Sequence, residues 1–239
     1  MKNILIPTTL QKDTVQAVRV ALADAADKPL QIVLMTLEET PDVASAAYWL
    51  RKSRNGLDAA QEAVFAECLE LAEACPLVKI KMQRQFSMTK PLLRNFTAAC
   101  EISLSIIPNS FVQSSDLPHR HFLHLLKNSK TPILQLTPEC EDAPFTKALF
   151  IENTKSQVQA KDVAQLVGGH FSFRIVSQAR PFDEANHEEL LPALFDAISK
   201  NGIDLLIETR KPQKVFGKTS VANHENLGLP VLSVCEPAY

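Results

Sequence analysis

The 239-residue chain carries 25 Lys and Arg against 27 Asp and Glu, a formal charge of −2. That balance supplies neither the basic excess of a nucleic-acid binder nor a polybasic membrane anchor. Hydrophobic residues at 46% and charged ones at 22% fit a packed globular protein long enough to bury a core without disulfide or metal staples, which excludes a disordered chain.

In chain order, residues 3–8 (NILIPT) predict a buried strand, and 13–28 predict a helix on which Val15, Val18 and Leu22 recur, with Asp13 and Gln16 spaced as a capping box. Residues 30–37 (LQIVLMTL) predict a second strand, and a long helix over about 57–74 sets Val64, Cys68, Leu71 and Cys75 on one face. An alternating third strand over 77–86 leads to a helix over 91–101 with Leu92, Phe96 and Ala99 inward. A fourth strand over 102–107 (ISLSII), a helix over 119–128 and a fifth strand over 132–136 (PILQL) follow. Strict alternation of this kind argues a doubly wound parallel α/β sheet.

The polar stretch 139–146 (ECEDAPFT) breaks the alternation, after which the pattern restarts. Residues 147–152 (KALFIE) parallel the opening strand, and Thr154 with Gln157 repeats the capping signal ahead of a helix carrying Val158, Val163 and Val167. A strand over 171–176, a helix over 188–200 with Leu191, Leu194, Phe195 and Ile198, a strand over 203–208 (IDLLIE) and a closing strand over 230–234 (PVLSV) complete the chain. The segments TPILQL (131–136) and LPVLSV (229–234) read as one element written twice, the mark of an internal duplication. The expected organisation is a first α/β unit over 1–140, a linker over 141–146 and a second unit over 147–239, shorter by about one strand and one helix.

The five cysteines, Cys68, Cys75, Cys100, Cys140 and Cys235, include no CxxC pair and predict reduced, buried thiols rather than a disulfide framework or zinc knuckle. No window approaches the roughly 18 uncharged apolar residues of a membrane span, and Ile4-Leu5-Ile6 is too short for a signal sequence, so a cytoplasmic location is expected. His119, His121 and His124 are the densest histidine cluster, but no carboxylate or cysteine at matching spacing completes a metal site, and a polar helix face is the plain reading. No hydrolase elbow, paired-acid motif or nucleophile-base arrangement stands in the sequence, so no catalytic residue is assigned. Asp204, the second residue of IDLLIE, reads as a capping or strand-entry residue, and Tyr48-Trp49 as core or interface cover.

One cationic cluster stands out. Arg210, Lys211, Lys214 and Lys218 gather beside Gly217-Lys218-Thr219-Ser220, just after the carboxyl end of a strand, where α/β proteins bind ligands. Gly217-Lys218-Thr219 mimics the tail of a Walker loop, yet the first glycine of GxxxxGK[ST] would fall on Pro212, whose ring removes a cradle donor. A solvated basic loop is the plain alternative to an anion site.

The opening KNILIPT (2–8), the strand-helix alternation, the pairing of IDLLIE with PVLSV and the duplication together resemble the universal stress protein family in its tandem form, over nearly the whole chain. The resemblance implies two tandem Rossmann-like units with parallel sheets, the second shortened, a role in stress response and a tendency to dimerise. Family members divide into ATP binders and non-binders; in binders an Asp closes the first strand, and a Gly-x2-Gly-x9-Gly-Ser/Thr loop after the fourth strand holds the phosphates. Here the Asp position is Thr9 in the first copy and Asn153 in the second. The first-copy loop reads Pro108-Asn109-Ser110-Phe111, with His119 and Arg120 where its last Gly-Ser/Thr would fall. The second reads Thr209-Arg210-Lys211-Pro212, with Gly217 and Lys218 in the corresponding places. Only 6 Gly against 15 Pro agrees with this loss, because such loops draw on glycine for close backbone approach. The resemblance therefore implies a non-enzymatic protein, with degenerate nucleotide binding, that works through protein partners or self-association. The alternative is an ATP, AMP or phosphate sensor using Asn153, Thr209, Arg210, Gly217, Lys218, Thr219 and Ser220. Neither nucleic acid nor membrane is an expected partner.

Overall fold

Strands β1 (Lys2–Pro7) and β2 (Leu30–Leu37) are apolar on both faces, and only a sheet covered on both sides can bury such runs. The computed structural model of the chain describes residues 2–23, 29–39, 56–138, 140, 144–151, 162–163, 171, 173–179, 187–211 and 227–236. Ile4, Ile6, Ile32 and Leu34 pack into one layer, while Leu5, Val33 and Met35 pack into the opposite one. The first layer is closed by α1 (Lys12–Leu22) and α2 (Ala59–Glu73), which contribute Val15, Val18, Cys68 and Ala72. Between α2 and the next helix runs β3 (Val78–Gln85), an edge strand whose Lys79, Lys81 and Arg84 discourage further strand pairing. The second layer is closed by α3 (Lys90–Ala99), the short α4 (Asn109–Val112) that follows β4 (Ile102–Ile107), and α5 (Leu117–Lys127), through Leu93, Phe111, Phe122 and Leu126.

The remaining elements are β5 (Ile133–Gln135), β6 (Lys147–Ile151), β7 (Arg174–Ala179), α6 (His187–Asn201), β8 (Leu205–Arg210) and β9 (Val231–Cys235). Among the described residues the strands form one nine-stranded sheet in the order β3-β2-β1-β4-β5-β9-β8-β6-β7. Every neighbouring pair is parallel except β5 and β9, which run antiparallel with Leu134 opposite Leu232. The α/β sheet expected from the alternation is present, and it is parallel apart from the β5–β9 pair. Its continuity across the whole chain is what the alternation did not specify. The duplicated strands TPILQL and LPVLSV each end their half of the sheet, and pairing them satisfies two rows of backbone groups that would otherwise stand at open edges. Outward from this junction, the first half runs β5-β4-β1-β2-β3 and the second runs β9-β8-β6-β7, the same order with no strand in the β3 place among the described residues.

Local signals explain two of the helix starts. Asp58 and Gln61 form a reciprocal capping box on α2, and Thr89 caps α3 ahead of Pro91. Three expectations differ. Asp13 and Gln16 make no capping box on α1, because both side chains reach outside the helix: Asp13 to Ser110, and Gln16 to the Cys140 carbonyl. On α3 the inward face is Leu93, Phe96 and Cys100, while Leu92 is 42% exposed and Ala99 is exposed. On α6 Leu194 is buried and Phe195 is 49% exposed. In both helices two adjacent large apolar residues leave the helical phase ambiguous by about 100°, and the shape of the sheet face chooses between them. Tyr48-Trp49, Thr154, Gln157, Val158 and Val167 lie outside the described residues, as does the side chain of Leu191.

Asp204 ties the start of β6 to the strand beside it. Its carboxylate accepts from Thr146 N and Oγ1, both at 2.8 Å, and from Lys147 N at 3.0 Å. The five cysteines are free thiols. Among the described residues no helix is long and apolar enough to cross a membrane.

Burial, with the Glu67 carboxylate adding to it, pushes the Cys68 thiol from its ordinary 9.0 up to about 11. The folded chain thus holds this proton more tightly than the unfolded one. The contribution to stability is present in full below pH 9.0 and is lost as pH rises towards about 11. Urea midpoints measured across that window are expected to fall, and Cys68→Ala is expected to flatten the fall, leaving the slope due to Cys235, whose thiol burial also raises. An unchanged pH slope in the variant would show that Cys68 does not carry the effect.

Candidate functional site

A doubly wound sheet opens a crevice at the carboxyl ends of the strands where the order reverses, and in this chain that point lies between β1 and β4. A cleft of about 1450 Å³ opens there, lined by the loop after β1, the ends of β2 and β3, the first turns of α2, and residues 109–119. After β1 the chain turns through Leu10 at φ +55°, a left-handed residue that is held in place because the Leu10 N–H donates to Thr8 Oγ1 at 2.7 Å, itself 2.6 Å from Thr14 Oγ1. This turn presents Thr9 and Asp13 to the β4 side.

There they meet Ser110 in the first turn of α4. Asp13 accepts from Ser110 N at 2.6 Å and from Ser110 Oγ at 2.8 Å, and Thr9 Oγ1 lies 2.9 Å from Ser110 Oγ. Pro108, the residue before α4, has no N–H to offer. Thus an internal carboxylate already takes the Ser110 N–H at the carboxyl end of β4. The charges around the cleft point the same way. Among the described residues, five carboxylates, on Asp13, Glu38, Glu39, Glu67 and Asp116, line it against the cations Lys12 and Arg84. Arg84 is engaged by Glu38, with Nη2 at 2.6 Å and Nε at 2.9 Å from the same oxygen.

At the far wall, His119 is 7% exposed, its ring 4.9 Å from that of Phe111. Its Nδ1 lies 2.7 Å from Ser114 Oγ and its Nε2 lies 3.2 Å from the Leu37 carbonyl oxygen. Asp116 Oδ2 stands 3.5 Å from the same Nδ1. The other two histidines face elsewhere: His121 Nε2 meets Met88 O at 3.1 Å, and His124 Nε2 meets Asn128 Nδ2 at 3.2 Å. Among the described residues no group of three or more potential ligands is placed to hold a metal.

In the second half, β8 extends to Arg210, so Thr209 and Arg210 lie in the sheet and not in a loop. Thr209 is buried. Arg210 reaches across the junction to the end of α5, donating from Nη1 to Leu126 O and Lys127 O and from Nη2 to Thr131 O at 2.6 Å. A guanidinium committed to the orphan carbonyls of a helix end is not placed for an anion. Lys211 lies 3.7 Å from Glu236. Asn153, Lys214, Gly217, Lys218, Thr219 and Ser220 lie outside the described residues.

Sequence reasoning missed Asp13, Ser110 and Ser114 as site residues. The partners of each are far along the chain or across a turn, and hydroxyls and carboxylates at such spacing carry no periodic signal. The capping-like spacing of Asp13 pointed to the right residue with the wrong partner.

Fold and crevice together define a doubly wound α/β protein with a polar cleft at its switch point. No protein-family model and no curated protein sequence matches the chain. Among solved structures it is similar to a universal stress protein from Archaeoglobus fulgidus DSM 4304, at 12% identity and TM-score 0.55 over 98% of this chain and 96% of that one. It is also similar to a functionally unknown protein from Pseudomonas aeruginosa PAO1, at 12% identity and TM-score 0.55 over 98% of this chain and 92% of that one. The chain has the universal stress protein fold, the fold that its sequence resemblance implies.

Proposed function

We propose that this is a cytoplasmic stress-response protein of two tandem units, divided near 141–146, that acts through protein contacts or self-association with its nucleotide site degenerate. The observation that carries this reading is the Asp13 carboxylate on Ser110 N and Oγ. A triphosphate brought to that N–H would displace an ion already hydrogen-bonded there and would meet further carboxylates around the cleft. The alternative, a nucleotide or small-anion sensor on the Gly217 loop, is weakened by the commitment of Arg210 to α5.

Thermal melting of the full chain with ATP, ADP, AMP or inorganic phosphate, with and without magnesium, tests the reading. A ligand at 100 times its Kd would stabilise by about 2.7 kcal/mol, a rise in Tm of roughly 5–11 °C for a chain of this size. The expected result is no rise with any of them. A rise that persists in the Gly217→Val/Lys218→Ala double variant would place a nucleotide in the first half and overturn the reading. A rise that the double variant abolishes would establish the sensor instead.

A further inference from the structure

Ser114 Oγ accepts from Asp116 N at 3.3 Å in the turn into α5, and its pairing with His119 is not used by the binding reading. A carbonyl oxygen only accepts, so the contact of His119 Nε2 with Leu37 O at 3.2 Å puts the ring proton on Nε2 and leaves Nδ1 as a lone pair. Ser114 Oγ, 2.7 Å from Nδ1, then donates its proton to that lone pair. The ring is held in this orientation by burial and by Phe111, yet both residues line the cleft, and Ser114 is only half-buried. Nucleophile, base and a third group orienting the base are the parts of an activated serine, here with a backbone carbonyl as the orienting group. Asp116, 3.5 Å from Nδ1 and making no capping bond to its own helix, stands where it would stabilise an imidazolium.

We propose that the cleft of the first half is a serine acyl-transfer site, with Ser114 as nucleophile and His119 as general base and acid, acting on small carboxylic esters that are uncharged or cationic. Ser114 Oγ forms a bond to the ester carbonyl carbon as its proton passes to His119 Nδ1. The bond from that carbon to the alcohol oxygen breaks, and the alcohol leaves with the proton from Nδ1. Water then attacks the acyl-serine, gives a proton to Nδ1, and releases the acid as Ser114 regains the proton. The net reaction is ester plus water to acid plus alcohol. The charge preference follows from the charges among the described lining residues, five carboxylates set against Lys12 and the Glu38-bound Arg84.

This inference goes beyond the binding role and is independent of whether nucleotide binds. The test is to treat the full chain with a fluorophosphonate probe and locate the adduct by mass spectrometry, alongside hydrolysis of p-nitrophenyl acetate and of the anionic mono-p-nitrophenyl succinate. The expected result is labelling at Ser114, absent in Ser114→Ala, and slowed by about 100-fold or more in His119→Gln, the scale of general-base assistance. Acetate is expected to be hydrolysed faster than succinate. Failure of the native protein to label at Ser114 overturns the proposal without reference to any variant. Labelling at Ser114 that His119→Gln leaves unchanged, in a variant whose melting is cooperative, overturns the role of His119. Equal rates on the two esters overturn the assigned substrate class.

Discussion

Phe122→Ala is expected to lower the unfolding free energy by about 3–5 kcal/mol, which for a chain of this size lowers Tm by roughly 6–20 °C. Phe122 is fully buried on α5, in the layer formed with Leu5, Val33, Ile107 and Leu126. Its ring meets Phe111 edge to face, with centroids 6.4 Å apart and planes at 83°, so the truncation removes a favourable ring pair as well as apolar area. The helix and sheet around it are anchored by neighbouring strands and relax only in part, which leaves a cavity. Phe122→Leu retains most of the volume and is expected to cost less than half as much. Urea denaturation of the three proteins reads the difference directly, and a loss below about 1 kcal/mol in Phe122→Ala would mean that the layer repacks. Phe111 also supports the His119 ring, so the same variant is expected to slow labelling of Ser114.

Arg210→Met is expected to cost about 2–4 kcal/mol, the scale of removing several charge-assisted hydrogen bonds whose contributions are not additive. The methionine keeps the apolar stem and deletes the donors that hold Leu126 O, Lys127 O and Thr131 O. Burial draws the guanidinium pKa below the ordinary arginine value, with the Cys235 thiol and the Glu208 carboxylate acting in the opposite sense. It nevertheless stays charged at any working pH. The carbonyls left behind belong to the end of α5 and to the turn leading into β5, and β5 is the strand that pairs with β9. The damage is therefore expected at the junction of the two sheet halves. Hydrogen exchange of the amides of Leu134 and Leu232 should accelerate more than that of Ile32 or Leu34 in the interior of the first half. Arg210→Lys should recover part of the stability, since one ammonium cannot span carbonyls at three positions. Uniform acceleration across the sheet would mean that Arg210 supports global stability without bridging the halves.

The α/β class was legible because strand and helix periodicities alternate so regularly that every strand of the sheet has a counterpart among the apolar runs. Residues 30–37 and 102–107 correspond to β2 and β4 to the residue. Helical phase was less legible where two large apolar residues are adjacent, as at Leu92-Leu93 and Leu194-Phe195. The candidate site was the least legible. Arg210 is a cation in a cationic stretch, and its sequence neighbours suggest an anion, whereas its partners are carbonyls some eighty residues earlier. Asp13 reads as a helix cap, but its partner is Ser110, ninety-seven residues away.

Composition and periodicity are enough to establish a cored α/β chain with a repeated closing strand and few glycines for a phosphate loop, because burial and backbone freedom are properties of short segments. Tertiary structure decides how the two closing strands meet and where Arg210 is spent. It also decides that Asp13, Ser110, Ser114 and His119 converge on one cleft. Those contacts join residues that only the parallel pairing of β1 with β4 at the switch point, and the turn into α5, bring within hydrogen-bonding distance.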